Sequence, residues 1–126
     1  FYKPDLGLQK IIMFCAPATL HTPLNHFKRS LKLSDKTMDV CIRNLKHEFG
    51  ENVFDKASVE DKVHQFRQPF MIVHDEQDDV VPIKEAHAIA MNTPNCTLLT
   101  TQHLGHHRIL KDPNVIQNVI AFIRAP

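Results

Sequence analysis

The tightest constraint on this chain is Phe70-Met71-Ile72-Val73, four apolar residues in succession with no polar residue alternating among them. A strand with one wet face alternates, so a short unbroken run suits a strand buried on both faces, as in a parallel sheet covered by helices. Two more short apolar runs, Lys10-Ile11-Ile12-Met13-Phe14-Cys15 and Thr97-Leu98-Leu99-Thr100, are candidates of the same kind. Strands are therefore expected at about 10–16, 69–75 and 97–101, with helical patterns between and after them. That β/α order argues for an α/β fold, a parallel sheet joined by right-handed crossovers.

The interval 17–69 is too long for a simple crossover. Leu24, Phe27 and Leu31, with Leu33, form one amphipathic stretch; a second opens at Ser34-Asp35, carries Val40, Cys41, Leu45 and Phe49 at helical spacing, and meets a stop signal at Gly50. About 18–66 is read as a helical, cap-like insertion, its apolar stripe expected to be plain core. Pro82 suits the first turn of a helix reaching about Met91, with Ile83, Ala86, Ile89 and Ala90 as its narrow apolar face. A last helix from Pro113-Asn114 is expected to pack through Val115, Ile116, Val119, Ile120 and Ile123.

Fifteen Lys and Arg against 14 Asp and Glu nearly cancel and are spread along the chain, which argues against a nucleic-acid footprint or a membrane-surface patch. No apolar run approaches the roughly 20 residues a spanning helix needs. Three cysteines, Cys15, Cys41 and Cys96, are an odd number without a Cys-x-x-Cys spacing and point to a reducing, cytoplasmic compartment. The chain opens on Phe1-Tyr2-Lys3-Pro4 without an initiator methionine and enters a strand candidate almost at once, as would a piece of a larger protein.

Chemistry is concentrated past the ends of the second and third strands. His74-Asp75-Glu76-Gln77-Asp78-Asp79 follows the second, and Leu104-Gly105-His106-His107 follows the third. The carboxyl ends of parallel strands are where an open α/β sheet meets its ligands. A carboxylate and a histidine on neighbouring rigid elements can form an acid–base pair, the carboxylate fixing the imidazole tautomer and stabilising its protonated form. Asp78 and His106 meet that requirement, with Asp79 the competing acid. Asp78 by itself also suits a turn residue hydrogen-bonding its own backbone. Gly105 lets the chain thrust His106 forward, while His107 and Arg108 anchor the loop.

The run from Pro69 to Pro82, with Leu104-Gly105-His106 after the next strand, resembles the carboxyl-terminal part of the α/β-hydrolase family. There, His-Gly-x-x-Asp-x-x-Val-Pro carries the acid of a catalytic triad and a later Gly-His carries the base. The resemblance implies a partial α/β-hydrolase fold over residues 1–126, with three parallel strands of the C-terminal half of the sheet, flanking helices and a cap-like insertion. It further implies catalytic roles for Asp78 and His106. Ile11-Ile12-Met13-Phe14-Cys15-Ala16-Pro17 resembles the strand that follows the family's nucleophile unit.

Two departures matter. Asp75 stands where the pattern has Gly, and a second negative charge so close is expected to disfavour ionisation of Asp78. The nucleophile's Gly-x-Ser-x-Gly elbow is missing, since Gly7, Gly50 and Gly105 are the only glycines and Ser30, Ser34 and Ser58 adjoin none of them. Cys15, inside a strand run, reads as a buried structural thiol rather than a substitute nucleophile.

The expectation is thus the acid- and base-bearing part of a serine-type hydrolase acting on an ester or similar acyl bond, inactive alone. It implies no organic cofactor or metal and a small-molecule acyl substrate for the parent protein. The edge of the strand at 10–16 should be covered by self-association or by a companion chain. A non-catalytic packing module of the same fold is the alternative. A metal site from His103, His106 and His107 with Asp78 is a weaker one, since adjacent histidines rarely point at one ion.

Overall fold

In a computed structural model, residues 7–126 are described; Phe1-Tyr2-Lys3-Pro4 lies outside them. Three strands, β1 (Ile11–Phe14), β2 (Phe70–Asp75) and β3 (Cys96–Thr101), form one parallel sheet in the order β1-β2-β3. Ile11 lies beside Phe70, and Phe70 beside Cys96. β2 is central and every one of its residues is buried. Its side chains alternate between two cores, as strand geometry requires. Phe70 and Ile72 join Ala18, Val63, Ala86 and Ile89 on one side, while Met71 and Val73 join Cys15, Ile109 and Val115 on the other.

Each crossover supplies cover. α4 (Ile83–Asn92) buries Ala86 and Ile89, and Pro82 stands one position before the helix as its cap rather than in its first turn. Glu85, nearly buried on α4, accepts a 3.0 Å hydrogen bond from the Ala18 amide. This ties the loop after β1 to the helix after β2. α6 (Pro113–Arg124) opens on Asp112, whose carboxylate accepts from the amides of Asn114 and Val115. Its C-terminal end is held by the Lys10 ammonium, which donates to the Phe122 carbonyl at 2.7 Å. The packing face of α6 differs from the expectation. Val115, Val119 and Phe122 face the core, and Ile116, Ile120 and Ile123 are exposed.

The interval between β1 and β2 is helical as anticipated, with α1 (His21–Ser30), α2 (Asp35–Phe49) and α3 (Val53–Lys56). The Ser34 hydroxyl caps α2 by accepting from the Thr37 amide, and Gly50 ends it at φ +96°, a conformation glycine adopts without strain. Its apolar stripe is not core, contrary to the sequence-based reading. α1 buries none of its residues, and Phe27, Leu31, Val40 and Phe49 are exposed. Spacing shows that a helix has an apolar face but not what covers it. Among the described residues, no helix is long and apolar enough to cross a membrane.

Candidate active site

The site lies beyond the carboxyl ends of β1, β2 and β3. β2 ends in Asp75, and the turn behind it brings Asp78 back over the sheet. The amides of Val80 and Val81 donate to Asp78 Oδ1 at 2.9 and 2.8 Å. The other oxygen, Oδ2, lies 2.8 Å from His106 Nδ1. Asp78 therefore fills both roles its position allowed, folding its own turn with one oxygen and meeting the histidine with the other. Asp79 is exposed and makes no such contact.

Burial pushes the Asp78 carboxyl up, but the Val81 amide, His106, the Val80 amide and Cys15 together outweigh it and hold the group below the usual carboxylate value. An ionised carboxylate only accepts, so Nδ1 of His106 carries the proton and Nε2 keeps its lone pair while the ring is neutral. The His106 side chain is 25% exposed and that of Asp78 is closed to solvent. A shielded carboxylate behind a partly open imidazole can steady a charge formed during proton transfer.

The loop bearing His106 is fixed mainly by Asp75. Its Oδ2 accepts from the Thr101 hydroxyl at 2.7 Å and the Leu104 amide at 3.0 Å, and its Oδ1 from the Gln77 amide at 3.0 Å. Burial opposes ionisation, yet Thr101 and the amides of Leu104, Gly105 and Gln77 bring the Asp75 carboxyl below its usual value. The expected penalty on Asp78 is thus corrected, because each carboxylate has its own donors. Further ties join the two loops: the Glu76 amide donates to the Thr101 carbonyl and the His103 amide to Gln77 Oε1. Gly105 has φ +65° and opens the one-turn helix α5 (Gly105–Arg108) that carries His106. Arg108 anchors this loop through the carbonyls of Leu104 and His103, and the exposed His107 ring meets His106 edge-on.

Two residues not assigned to the site on sequence grounds belong to it. His74, fully buried at the end of β2, places Nε2 2.7 Å from the Val81 carbonyl and 3.6 Å from Asp78 Oδ2, bracing the turn that carries Asp78. The His-x-x-x-Asp spacing was the available signal. Cys15 is not inside β1 but just past it, at φ +45°, a left-handed backbone that a residue with a Cβ adopts only under strain. Burial first, then the hydrogen bond to Asp78 and its charge, push the Cys15 thiol up to about 12, so it stays protonated. Nothing in the sequence marks that backbone turn. Among the described residues, Cys15, Asp78 and His106 are the group whose possible ligand atoms cluster, all within 4.8 Å of one another. His103 and His107 are outside it, so the triple-histidine donor set is not assembled.

No family model matches the chain, and no curated protein sequence matches it. Solved structures do. Rv0554 from Mycobacterium tuberculosis matches with a TM-score of 0.63 at 12% identity, covering 95% of this chain and 57% of that one. MGS-M2, an α/β hydrolase enzyme from a Medee basin deep-sea metagenome, matches at 0.60 and 13%, covering 94% and 57%. The esterase domain of a Rhodothermus marinus protein matches at 0.57 and 14%, covering 92% and 50%. The chain therefore has the α/β-hydrolase fold and spans between half and three fifths of these structures.

Proposed function

We propose that this chain is the acid- and base-bearing C-terminal portion of a serine-type α/β-hydrolase that cleaves an ester or similar acyl bond. Asp78 is the acid and His106 the general base, which takes the nucleophile's proton on Nε2 and later delivers it to the leaving group. The observation that carries this proposal is the 2.8 Å contact between His106 Nδ1 and the shielded Asp78 carboxylate, itself held by two backbone amides. Residues 18–66 are the cap of the parent enzyme, and its substrate is a small acyl compound. Three free cysteines without a paired spacing support a cytoplasmic setting.

The chain by itself is inactive on this account, because an acid–base pair without a nucleophile forms no acyl-enzyme. Ser58 is buried, Ser30 and Ser34 flank the insertion's helices away from any glycine elbow, and the Cys15 thiol remains protonated. β1 pairs with β2 alone among the described residues, so its other edge suits a companion chain or a second copy.

The test is incubation of the purified chain with an activated ester and a fluorophosphonate probe, with neither turnover nor labelling expected. Stoichiometric labelling, or turnover abolished by His106→Ala, would contradict the inactivity. A form extended upstream by a strand and a Gly-x-Ser-x-Gly segment should hydrolyse the ester. Asp78→Asn should then slow it by about 10⁴-fold, the loss expected when the tautomer is wrong. An extended active form indifferent to Asp78→Asn and His106→Ala would remove the catalytic assignment.

A further inference from the structure

We infer that Cys15, Asp78 and His106 form a binding site for a zinc ion. Three different strand ends deliver one thiol, one carboxylate and one imidazole to a single point, with their possible ligand atoms within 4.8 Å of one another. Sulfur, nitrogen and a single oxygen are the donor mixture that zinc takes, whereas magnesium and calcium require oxygen alone. Zinc bonds of about 2.0–2.3 Å place tetrahedral donors roughly 3.3–3.8 Å apart, so each side chain need move by no more than about an ångström. His106 has room for such a move, being 25% exposed on a one-turn helix, and its open side admits the ion and a water as fourth ligand.

The supporting shell is already in place. Asp78 Oδ1 is held by the amides of Val80 and Val81, and the Cys15 sulfur lies against the Asp75 backbone amide. Outer contacts of this kind orient ligands and tune their affinity. The left-handed backbone of Cys15 sets its buried side chain beside Asp78 instead of continuing the strand.

On binding, the thiol proton leaves to solvent and the imidazole proton moves from Nδ1 to Nε2. The sulfur, Nδ1 and one oxygen of Asp78 then coordinate the ion, and no electron changes hands. A thiolate and a carboxylate neutralise a dication, so the pocket acquires no net charge, which suits two buried ligands. The binding does not depend on the hydrolase proposal. Its consequence does rest on it: an ion in this place occupies the acid and the base, so zinc and proton transfer exclude each other.

Cobalt titration of the chain under reducing conditions tests the site. Cobalt should produce a thiolate-to-metal charge-transfer absorption at one equivalent, displaced by zinc and untouched by magnesium. Cys15→Ser should abolish the band, and Asp78→Asn and His106→Gln should each weaken cobalt binding by at least about ten-fold, the loss an outer-shell change can already cause. In a Cys41→Ser, Cys96→Ser double variant, Cys15 is the only thiol and the band should persist, which keeps the answer readable if Cys15→Ser does not fold. Absence of the band in the native chain or in the double variant, or its persistence in Cys15→Ser, would overturn the inference. Each readout is of binding, so an inactive or non-catalytic chain leaves the result unaffected.

Discussion

The strand-end region and the helical segment between β1 and β2 are built from similar fractions of apolar residues yet are held differently. Between β2 and α5 the chain is fixed from within. β2 is buried throughout, Asp75 ties Thr101 and Leu104 to the sheet, and Asp78 ties its own turn to His106. The helical segment between β1 and β2 is held more sparsely, with Met38 on α2 and Val53 on α3 buried within it. Ala18 accepts from the Val59 amide at 2.8 Å and joins Val63 in the core, while α1 contributes no buried residue. The contrast teaches that the contact between Asp78 and His106 is set by the sheet and its two loops rather than by the helical segment between β1 and β2.

The largest effects should fall on β2. Ile72→Ala removes a fully buried side chain between sheet and α4 and should cost about 2–5 kcal/mol. Leu31→Ala, on the exposed stripe, should stay within about 0.5 kcal/mol. Urea unfolding of the two variants measures this difference, and equal losses would mean that the stripe is covered after all.

Next in size is the loop restraint. Asp75→Ala strands the Thr101 hydroxyl and the Leu104 amide and should cost about 1–3 kcal/mol. Hydrogen exchange at Leu104 should accelerate while exchange in α2 does not. Uniform acceleration would show that Asp75 acts on the whole fold rather than on the loop.

Acid should act on the same region. Asp75 and Asp78 both have carboxyls below their usual value when folded, so the unfolded chain binds protons more readily than the native one. Their contribution is complete above the unfolded value of about 3.9 and is lost as pH falls through the folded values. The urea midpoint should therefore drop below about pH 4, with a shallower drop in Asp75→Asn. An unchanged slope in that variant would remove Asp75 from the account. Among the substitutions expected to destabilise, the smallest loss in urea unfolding falls on Ser34→Ala, about 1 kcal/mol, since it deletes only the cap of α2.

How much of this was legible in the sequence follows the same division. The strands were legible because an unbroken apolar run has few alternatives, and Asp78 and His106 because a family pattern places them. Cys15 reads as part of the strand run because nothing in the sequence marks an L-residue that turns left-handed at a strand end. Ile116, Ile120 and Ile123 read as part of the packing face because periodicity identifies an apolar face without its neighbour. Asp75 reads as a liability in the sequence because two of its donors, the Thr101 hydroxyl and the Leu104 amide, lie 26 and 29 residues away.

The proton between Asp78 and His106 is the most direct witness. Nitrogen-15 NMR of the imidazole at neutral pH should show the Nδ1–H tautomer for His106, with a downfield Nδ1 proton that disappears in Asp78→Asn. An Nε2–H tautomer in the native chain, or a spectrum indifferent to Asp78→Asn, would contradict the pairing on which the candidate site is built.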